Sequence, residues 1–286
     1  MKLFLDSAYL NDIKEAVSWD IINGVTTNPS LIKKAVTAMR EADGEVDVDM
    51  ESYIKKILAA VGRMCPVSLE VAGLKADDMI EQGNILYDKF DQVAGNVVIK
   101  IPVCTVNSKG EGNPFEGITA IRALSDDKIP INATLVFTPE QALLAAKAGA
   151  EYVSPFAGRI DDRIRRKAGI PFEKTDYFPA DGIFDTESPD RLVTDCELVS
   201  GVDLVAWIVD IFRQYSIECE VIAASARNPV QVREFARVGA HIATVPIAVL
   251  KSMMTHPGTS DGIDAFTNDL IDDYTALFET GGADTE

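Results

Sequence analysis

The stretch Asn96-Val-Val-Ile-Lys-Ile-Pro-Val103 decides the fold of this chain. Its β-branched residues are typical of a strand, in which successive side chains alternate between two faces. Lys100 then shares a face with Val98 and opposes Ile99 and Ile101. Because all these neighbours are apolar, both faces of the strand are expected to be buried, as in a parallel sheet covered by helices. The stretch therefore predicts a buried parallel strand that carries one lysine.

Short runs of this kind alternate with longer helical patterns along the chain, which indicates a parallel sheet with helical crossovers. We predict strands at Lys2–Leu5, Gly24–Thr26, Val67–Val71, Val97–Ile101, Ile131–Leu135, Tyr152–Ser154, Glu220–Ala224 and His241–Val245. We predict helices at Leu10–Val17, Met50–Val61, Ala76–Phe90, Gly117–Ser125, Pro139–Gly149, Val202–Tyr215 and Pro229–Val238. Eight β/α units in this order favour a single closed (β/α)8 TIM barrel, and an open doubly wound sheet is the alternative.

The ends of several predicted helices carry suitable residues. Thr138 and Asn228 each precede a proline, so that an N-cap side chain stands before a proline at the first helical position. Gly149 and Gly239 stand where a helix favours a residue in the left-handed conformation. These residues support the predicted order of helices.

Two segments interrupt the alternation. Residues Arg40–Asp49 are acidic and contain glycine, and we predict a surface loop there. Residues Ile160–Cys196 follow the sixth strand, and we predict an inserted loop at about 160–196. Its basic residues are Arg163, Arg165, Arg166 and Lys167. Because most charge runs are solvated faces, a solvated excursion is one interpretation. A lid is the other, because βα loops overlie the active site of a barrel.

We assign residues 1–257 to the catalytic barrel and residues 258–286 to a C-terminal helix and tail. The helix is predicted over Thr259–Thr280, with apolar residues on one side. These residues are Phe266, Leu270, Tyr274 and Leu277. Such a side must be covered by something. Assembly into a homo-oligomer is one interpretation, and packing on the chain's own barrel is the other.

The composition limits the possible classes of protein. With 47% apolar residues among 286, the chain can bury a full core as one domain. The cysteines are scattered and the histidines are few, which argues against a zinc cluster or a disulfide framework. The cysteines are Cys65, Cys104, Cys196 and Cys219, and the histidines are His241 and His256. We expect reduced, mostly core thiols and no metal.

A formal net charge of −18 repels nucleic acid and anionic membranes, so neither is expected as a partner. No basic start followed by an apolar run resembles a secretory signal, and no apolar stretch reaches the roughly 18 residues of a membrane span. We therefore expect a soluble, cytoplasmic protein. An anionic substrate gains no long-range attraction, so any phosphate site must be local. The acidic surplus fits a saline habitat or simply a soluble surface.

Lys100 is the most informative candidate for chemistry. Burial lowers the pKa of a lysine because it disfavours the charged form. A neutral amine can then attack a carbonyl and form a Schiff base. Two structural alternatives remain open at this point. The ammonium group could reach solvent at the end of the strand, or it could pair with a carboxylate.

Polar residues also stand at the ends of other predicted strands. They are Asp6, Asn28, Glu70, Asn132, Thr134 and Ser154. A barrel interior normally prefers Val, Ile and Leu, so polar groups at one rim favour an active site. Any one of them alone could be a satisfied polar group or a helix cap, as for Asn28 before Pro29. Six at corresponding strand ends favour a functional site.

An anion site is predicted near the last strands. Arg159 follows the sixth strand, and Ser225 and Arg227 follow the seventh, just before a helix. Barrel phosphate sites lie in these late βα loops, and guanidinium groups bind phosphate oxygens in pairs. Surface arginines that bridge to the abundant acids are the alternative. The three residues together favour a phosphate.

These residues resemble the transaldolase family, which includes the smaller fructose-6-phosphate aldolases. The resemblance covers nearly the whole chain, from Leu3-Phe-Leu-Asp6 to His256-Pro257. Its most specific motifs are Gly24-Val-Thr-Thr-Asn-Pro-Ser-Leu31, Val98-Ile-Lys-Ile-Pro102 and Ser154-Pro-Phe-Ala-Gly-Arg-Ile160. It implies a class I transferase of the pentose phosphate pathway, without metal or organic cofactor. It also implies ring-shaped homo-oligomers, pentamers or decamers, in which the C-terminal segment reaches a neighbouring subunit.

The resemblance further implies a role for each candidate residue. Lys100 forms the Schiff base, and Asp6 moves the proton of the C4 hydroxyl. Glu70 and Thr134 act through a water molecule in forming and breaking the imine. The residues expected around the sugar are Thr26, Asn28, Asn132, Ser154 and Phe156, and those expected to hold the phosphate are Arg159, Ser225 and Arg227.

Two positions favour transfer over simple cleavage. Fructose-6-phosphate aldolases that resemble this chain carry tyrosine at the position of Phe156 and lack the glutamate at Glu70. Phenylalanine has no hydroxyl that would protonate the enamine. We therefore expect a dihydroxyacetone unit to pass from fructose 6-phosphate or sedoheptulose 7-phosphate to an aldose phosphate. An aldolase, a transaldolase for another anionic ketose such as a sulfonated one, and a sugar-phosphate-binding barrel without turnover are the alternatives. The long 160–196 segment leaves the donor and acceptor open.

Overall fold

The computed structural model describes residues 1–43, 49–63, 65–185, 188 and 190–278. Within them, eight parallel strands close into a barrel in the order of the chain. The strands are β1 (Lys2–Asp6), β2 (Gly24–Thr26), β3 (Val67–Glu70), β4 (Val97–Pro102), β5 (Ile131–Val136), β6 (Tyr152–Pro155), β7 (Glu220–Ala223) and β8 (Ile242–Val245). Because β1 also pairs with β8, the sheet has no open edge. The predicted closed barrel is confirmed, and the open sheet is excluded.

Helices alternate with these strands. They are α1 (Leu10–Ser18), α2 (Pro29–Asp43), α3 (Met50–Val61), α4 (Ala76–Ala94), α5 (Glu116–Asp126), α6 (Pro139–Lys147), α7 (Ala157–Lys167), α8 (Gly201–Gln214), α9 (Pro229–Arg237) and α10 (Ile247–Ser252). Each predicted strand agrees with the observed one to within one residue at either end, and seven of these helices were predicted. Helices α2, α7 and α10 were missed. The first two begin in motifs that the sequence analysis interpreted as site residues, and the third is short. No helix in the described part of the chain has the length and apolar character needed to cross a membrane.

The predicted helix ends are confirmed. The side chains of Thr138 and Asn228 accept hydrogen bonds from the backbone of α6 and α9. Gly149 and Gly239 follow these helices with φ of 101° and 84°, in the region that favours glycine.

The faces of β4 are arranged as the sequence predicts. Val98 packs inside the barrel with Phe4, Tyr152, Ile222 and Ile242, and these residues form an apolar layer. Ile99 and Ile101 belong instead to the larger core that includes the surrounding helices. Lys100 lies two residues beyond Val98 on the inner face, so its side chain stands next to the apolar layer.

The segment after β6 differs from its prediction. Residues 160–167 are helical because α7 extends to Lys167, and the irregular part begins at Ala168. The basic run on α7 is not simply a solvated face, because Arg165 is only 4% exposed. Its guanidinium group lies 5.0 Å from the ring centres of both Phe172 and Phe178, residues of the irregular part. The helix was not predicted because a run of charged residues indicates a solvated segment, whereas one of these arginines faces inward.

Two further expectations need correction. The loop predicted at Arg40–Asp49 is helical up to Asp43, and Asp49 is the N-cap of α3, while residues 44–48 lie outside the described part. The four cysteines are free as expected, but they are not mostly core thiols. Cys219 alone is buried, and Cys196 is exposed in the irregular segment after α7.

The chain divides into two compact units, Met1–Leu250 and a second unit that begins at Lys251. The second unit contains α11 (Pro257–Asn268), α12 (Asp272–Thr275) and a 3-10 turn at Ala276–Phe278. The single helix predicted over Thr259–Thr280 is therefore wrong, and its last two residues lie outside the described part. Ile271 is extended, and the two acidic residues that follow it favour the start of a new helix. Phe266 consequently does not share a helix with Tyr274 and Leu277.

Candidate active site

A cavity of about 540 Å³ lies at the carboxyl ends of the barrel strands. Ten of the twelve residues predicted for the site line it: Asp6, Thr26, Asn28, Glu70, Lys100, Ser154, Phe156, Arg159, Ser225 and Arg227. The other two, Asn132 and Thr134, are fully buried on β5 and do not line it. The structure thus brings ten of the predicted residues together in one cavity.

Lys100 is buried and paired with a carboxylate. The side chain is 4% exposed, so it does not reach solvent at the end of the strand. Its Nζ lies 3.1 Å from Oε2 of Glu70 and donates a hydrogen bond to the carbonyl oxygen of Thr27 at 3.2 Å. Residues 70 and 100 are register partners in β3 and β4, which fixes this pair. The Glu70 carboxylate is close enough to the Lys100 amine to exchange a proton with it.

A network of polar side chains surrounds this pair on the inner face. Asn132 is the register partner of Lys100 on β5. The Ser154 hydroxyl donates to Oδ1 of Asn132 at 2.7 Å, and the Asn132 amide donates to the Ser68 hydroxyl at 3.1 Å. The hydroxyl of Thr134 is buried and has no hydrogen-bond partner among the described residues. Asn132 is thereby held in one orientation, whereas Thr134 keeps its hydrogen-bonding capacity.

Asp6 lies at the end of a chain of hydrogen-bonded hydroxyl groups. Thr26 donates a hydrogen bond to Oδ1 of Asp6 at 3.0 Å. The Thr26 hydroxyl is in short contact with that of Thr244, which must donate because Thr26 has only one proton. Burial raises the pKa of Asp6, while the charge of Lys100 and the hydrogen bond from Thr26 lower it. Thr244 was not predicted, although its inward position on β8 matches that of Thr26 on β2.

Asn28 has two uses in this structure. Its Oδ1 accepts a hydrogen bond from the backbone of Leu31 at 3.0 Å, so the helix-cap interpretation is correct. The residue also lines the cavity. Because the cap occupies the oxygen, the amide nitrogen is the group that remains to donate to a ligand.

The predicted anion site is a cluster of two arginines and a serine between the ends of β6 and β7. The guanidinium group of Arg159 lies 4.7 Å from the ring centre of Phe156. Burial and the charge of Arg227 both lower the pKa of Arg159. Arg227 pairs with Asp162 at 2.6 Å and is nearly buried. The surface-arginine alternative holds in part, because Arg159 is exposed and Arg227 bridges to Asp162, but both arginines also line the cavity.

Glycine at position 158 permits this cluster. A Cβ atom at Gly158 would lie 2.1 Å from the carbonyl oxygen of Ser225 and 2.7 Å from Nε of Arg227. Ser225 itself has φ of 63°, a conformation that is uncommon for residues other than glycine. The turn after β7 therefore presses against the start of α7, which brings Arg227 next to Arg159.

Sequence reasoning missed several residues at this end of the cavity. Lys34 on α2 and the neighbours Lys174 and Thr175 line it. None of the three lies at the end of a barrel strand, because Lys34 is on α2 and the other two belong to the irregular segment after α7. The sequence therefore did not indicate them as site residues. Within the described residues, no group of three His, Cys, Asp or Glu side chains could hold a metal ion.

The fold and this cavity define a class of protein: a (β/α)8 barrel with a buried lysine–glutamate pair at the carboxyl ends of its strands. Comparisons with known proteins give the family. Residues 3–281 match the model of the transaldolase/fructose-6-phosphate aldolase family. The chain belongs to this family, and it is an enzyme of the transaldolase/aldolase type.

Similar proteins cover almost the whole chain. A probable transaldolase of Desulfosudis oleivorans is 40% identical over 94% of this chain and 97% of its own length. A probable transaldolase of Caldicellulosiruptor saccharolyticus is 42% identical over 94% of this chain and 96% of its own length. Another, from Bacillus cereus, is 40% identical over the same 94% of this chain and 97% of its own length. The resemblance inferred from the motifs is confirmed at the level of the family.

Proposed function

We propose that the protein is a transaldolase that transfers a dihydroxyacetone unit from a ketose phosphate to an aldose phosphate through a Schiff base on Lys100. The observation that carries this proposal is the buried Lys100–Glu70 pair, which shares one cavity with Asp6 and the arginine cluster. Fructose 6-phosphate or sedoheptulose 7-phosphate is the donor. Erythrose 4-phosphate or glyceraldehyde 3-phosphate is the acceptor.

The first step makes the imine. Lys100 transfers a proton to Glu70, and the neutral amine then attacks the C2 ketone of the donor. The resulting carbinolamine loses its C2 oxygen as water, with protons supplied by Glu70 and the Thr134 hydroxyl through a water molecule. Thr134 suits this role because its buried hydroxyl has no partner among the described residues. The iminium that forms on Lys100 is the electron sink, so the step needs no metal or organic cofactor.

The second step breaks the C3–C4 bond. Asp6 takes the proton of the C4 hydroxyl, the C3–C4 electron pair moves into the iminium, and the aldehyde leaves. A dihydroxyacetone enamine remains on Lys100. Its C3 then attacks the carbonyl of the acceptor, and Asp6 returns the proton to the new C4 oxygen. Hydrolysis of the imine releases the product ketose and the free lysine.

Binding groups follow from the hydrogen bonds that remain available. The dihydroxyacetone part is held by the Asn28 amide nitrogen and by the Asn132–Ser154 pair. The hydroxyl oxygen of Ser154 still accepts a hydrogen bond after donating to Asn132. Arg159, Ser225 and Arg227 bind the phosphate, and guanidinium groups suit a phosphate because they bind two oxygens at once.

The setting of Phe156 supports transfer rather than cleavage. Its ring packs against Phe137 at 5.8 Å between centroids, and it lines the cavity beside Arg159. Neither ring carries a hydroxyl that would protonate the enamine, so the enamine waits for an aldehyde.

We further propose that the enzyme acts on the sugar phosphates of the pentose phosphate pathway in the cytoplasm, as a homo-oligomer.

A transfer assay tests the proposed function. Fructose 6-phosphate and erythrose 4-phosphate are mixed with the protein, and sedoheptulose 7-phosphate and glyceraldehyde 3-phosphate are measured by mass spectrometry. We expect both products in equal amounts. Glyceraldehyde 3-phosphate that forms at the same rate without erythrose 4-phosphate would contradict transfer and indicate an aldolase. Formation of neither product would contradict the proposal altogether.

Replacing Phe156 with tyrosine should raise donor cleavage without acceptor relative to transfer. The phenol supplies the proton route that phenylalanine lacks, so part of the enamine is protonated before an aldehyde arrives. The measurement is the ratio of the two rates in the transfer assay. Phe137→Tyr, in the ring that packs against Phe156, is the matched control for adding a hydroxyl nearby. An unchanged ratio in Phe156→Tyr would show that this residue does not suppress cleavage.

Replacing Thr26 with valine should move the acidic limb of the pH profile of kcat/KM to higher pH. Asp6 accepts a proton only as a carboxylate, so activity is lost as the pH falls through its pKa. Burial raises that pKa, and the hydrogen bond from Thr26 lowers it. Without the bond the pKa rises further, so the carboxylate is lost at a higher pH. Thr244→Val leaves the Asp6–Thr26 bond in place and should move the limb less. An unmoved limb in Thr26→Val would contradict a role for Asp6 as the base.

A further inference from the structure

The irregular segment after α7 reaches the anion end of the cavity. Two of its residues, Lys174 and Thr175, line the cavity together with Arg159, Arg227 and Lys34 of α2. Lys174 is exposed at the rim and makes no hydrogen bond or ion pair with the described residues. An unpaired lysine among cations is not explained by the internal contacts of the fold.

Arg165 of α7 packs against the segment and holds it in place. This arginine is nearly buried and lies between the rings of Phe172 and Phe178. It also donates a hydrogen bond to the carbonyl oxygen of Asp176 at 3.0 Å. The backbone on either side of Lys174 is thus attached to α7, the helix that carries Arg159.

A second attachment comes from the turn after β7. The Asn228 side chain donates a hydrogen bond to the carbonyl oxygen of Thr175 at 3.1 Å and accepts one from the backbone of α9. Asn228 directly follows Arg227 in the chain. The backbone around Lys174 therefore contacts both α7 and the turn after β7, the two elements that carry Arg159 and Arg227. These contacts fix the position of Lys174 next to the arginines.

The charges around Lys174 are mostly positive. Although the residue is exposed, its pKa is lowered by partial burial of the ammonium group and by the charges of Arg227, Lys34 and Arg159, while the charge of Asp162 raises it. Asp162 is already paired with Arg227 at 2.6 Å, and Asp6 interacts more weakly with Lys174 and Arg159. Four cations thus gather at this end of the cavity, in a chain whose net charge is −18. Like charges held together in this way are relieved by a bound anion of high charge.

We infer that Lys174 is a further phosphate-binding residue, which together with Lys34 makes the site prefer a dianionic phosphate end over a monoanionic sulfonate. This inference rests on the proposed function. Asp162 is paired with Arg227, and Asp6 and Glu70 act on Arg159, so the two arginines alone leave little positive charge beyond what a sulfonate needs. The two lysines add two further positive charges, which suits the charge of −1.5 to −2 that a phosphate monoester carries at neutral pH.

Replacing Lys174 with glutamine should therefore affect the two ligands unequally. An exposed ion pair contributes up to about fivefold in binding to a dianion. The Coulomb energy is proportional to the ligand charge, so the same lysine contributes only about twofold to a monoanion. We expect KM to rise about fivefold for fructose 6-phosphate and about twofold for the 6-sulfonate of 6-deoxyfructose, with little change in kcat. Lys174→Arg retains the charge and should restore the preference. Lys147→Gln removes an exposed lysine that does not line the cavity and should change neither KM.

Inorganic phosphate gives a readout that does not depend on turnover. Its binding to the wild-type protein and to Lys174→Gln is measured by calorimetry at pH 8, where phosphate is mostly dianionic. About fivefold weaker binding in the variant supports the inference even if the wild type fails the transfer assay. Equal phosphate affinity in the two proteins, or equal KM changes for phosphate and sulfonate, would overturn it.

Discussion

Lys100→Ala should reduce the transfer rate to below about 10⁻⁴ of the wild-type rate, as is usual when the nucleophile of a covalent route is removed. Lys100 is the amine that pairs with Glu70 in the cavity, so we expect its removal to abolish the imine. Borohydride added with fructose 6-phosphate should reduce the imine and leave a dihydroxyacetone-derived mass on the wild-type protein. Peptide mapping should place this mass on Lys100.

Two lysines make this mapping a sharp test. Lys34 and Lys174 line the same cavity, and partial burial together with nearby cations lowers the pKa of Lys174. Under the proposed mechanism we nevertheless expect the imine on Lys100, because its Nζ lies 3.1 Å from the Glu70 carboxylate that accepts its proton. Label on Lys174 or Lys34, or turnover by Lys100→Ala, would rule out the proposed mechanism.

The sequence predicts most of the barrel because buried parallel strands leave a clear pattern. The eight strand positions follow from apolar runs such as the one around Lys100. Helices are harder to predict than these strands where charged residues dominate the sequence, as they do in α7. Helix α7 carries inward-facing Arg165 and Asp161, which are buried by specific polar contacts that the sequence alone does not reveal.

The deep part of the site is predictable for the same reason. Polar residues such as Asp6, Glu70 and Asn132 contrast with the apolar interior of a barrel, so their positions mark them as candidates. At the rim of the cavity, polar residues are surrounded by other polar residues, so their positions do not mark them as candidates. Lys174 lies in an irregular segment in which charged residues are common, and only its position in the cavity lining distinguishes it from other exposed lysines.

Gly158→Ala should damage the anion end of the cavity while leaving the lysine end intact. The new Cβ atom would lie 2.1 Å from the Ser225 carbonyl oxygen, so the turn that carries Ser225 and Arg227 must move. Such overpacking costs about 1–3 kcal/mol of stability, and the displaced guanidinium group loses its contact with the phosphate. We expect kcat/KM for fructose 6-phosphate to fall about 100-fold or more, with a lower Tm.

Two controls separate this local effect from general damage. Gly262→Ala adds the same methyl group where no atom lies within 4 Å, so it should leave both kcat/KM and the Tm close to those of the wild type. Unphosphorylated dihydroxyacetone with borohydride should still label Lys100 in Gly158→Ala, because that reaction needs no phosphate contact. A variant that keeps its affinity for fructose 6-phosphate would show that the turn at Ser225 yields without displacing Arg227. Loss of dihydroxyacetone labelling would show instead that the substitution disrupts the whole barrel end, and that Gly158 does not act on the anion site alone.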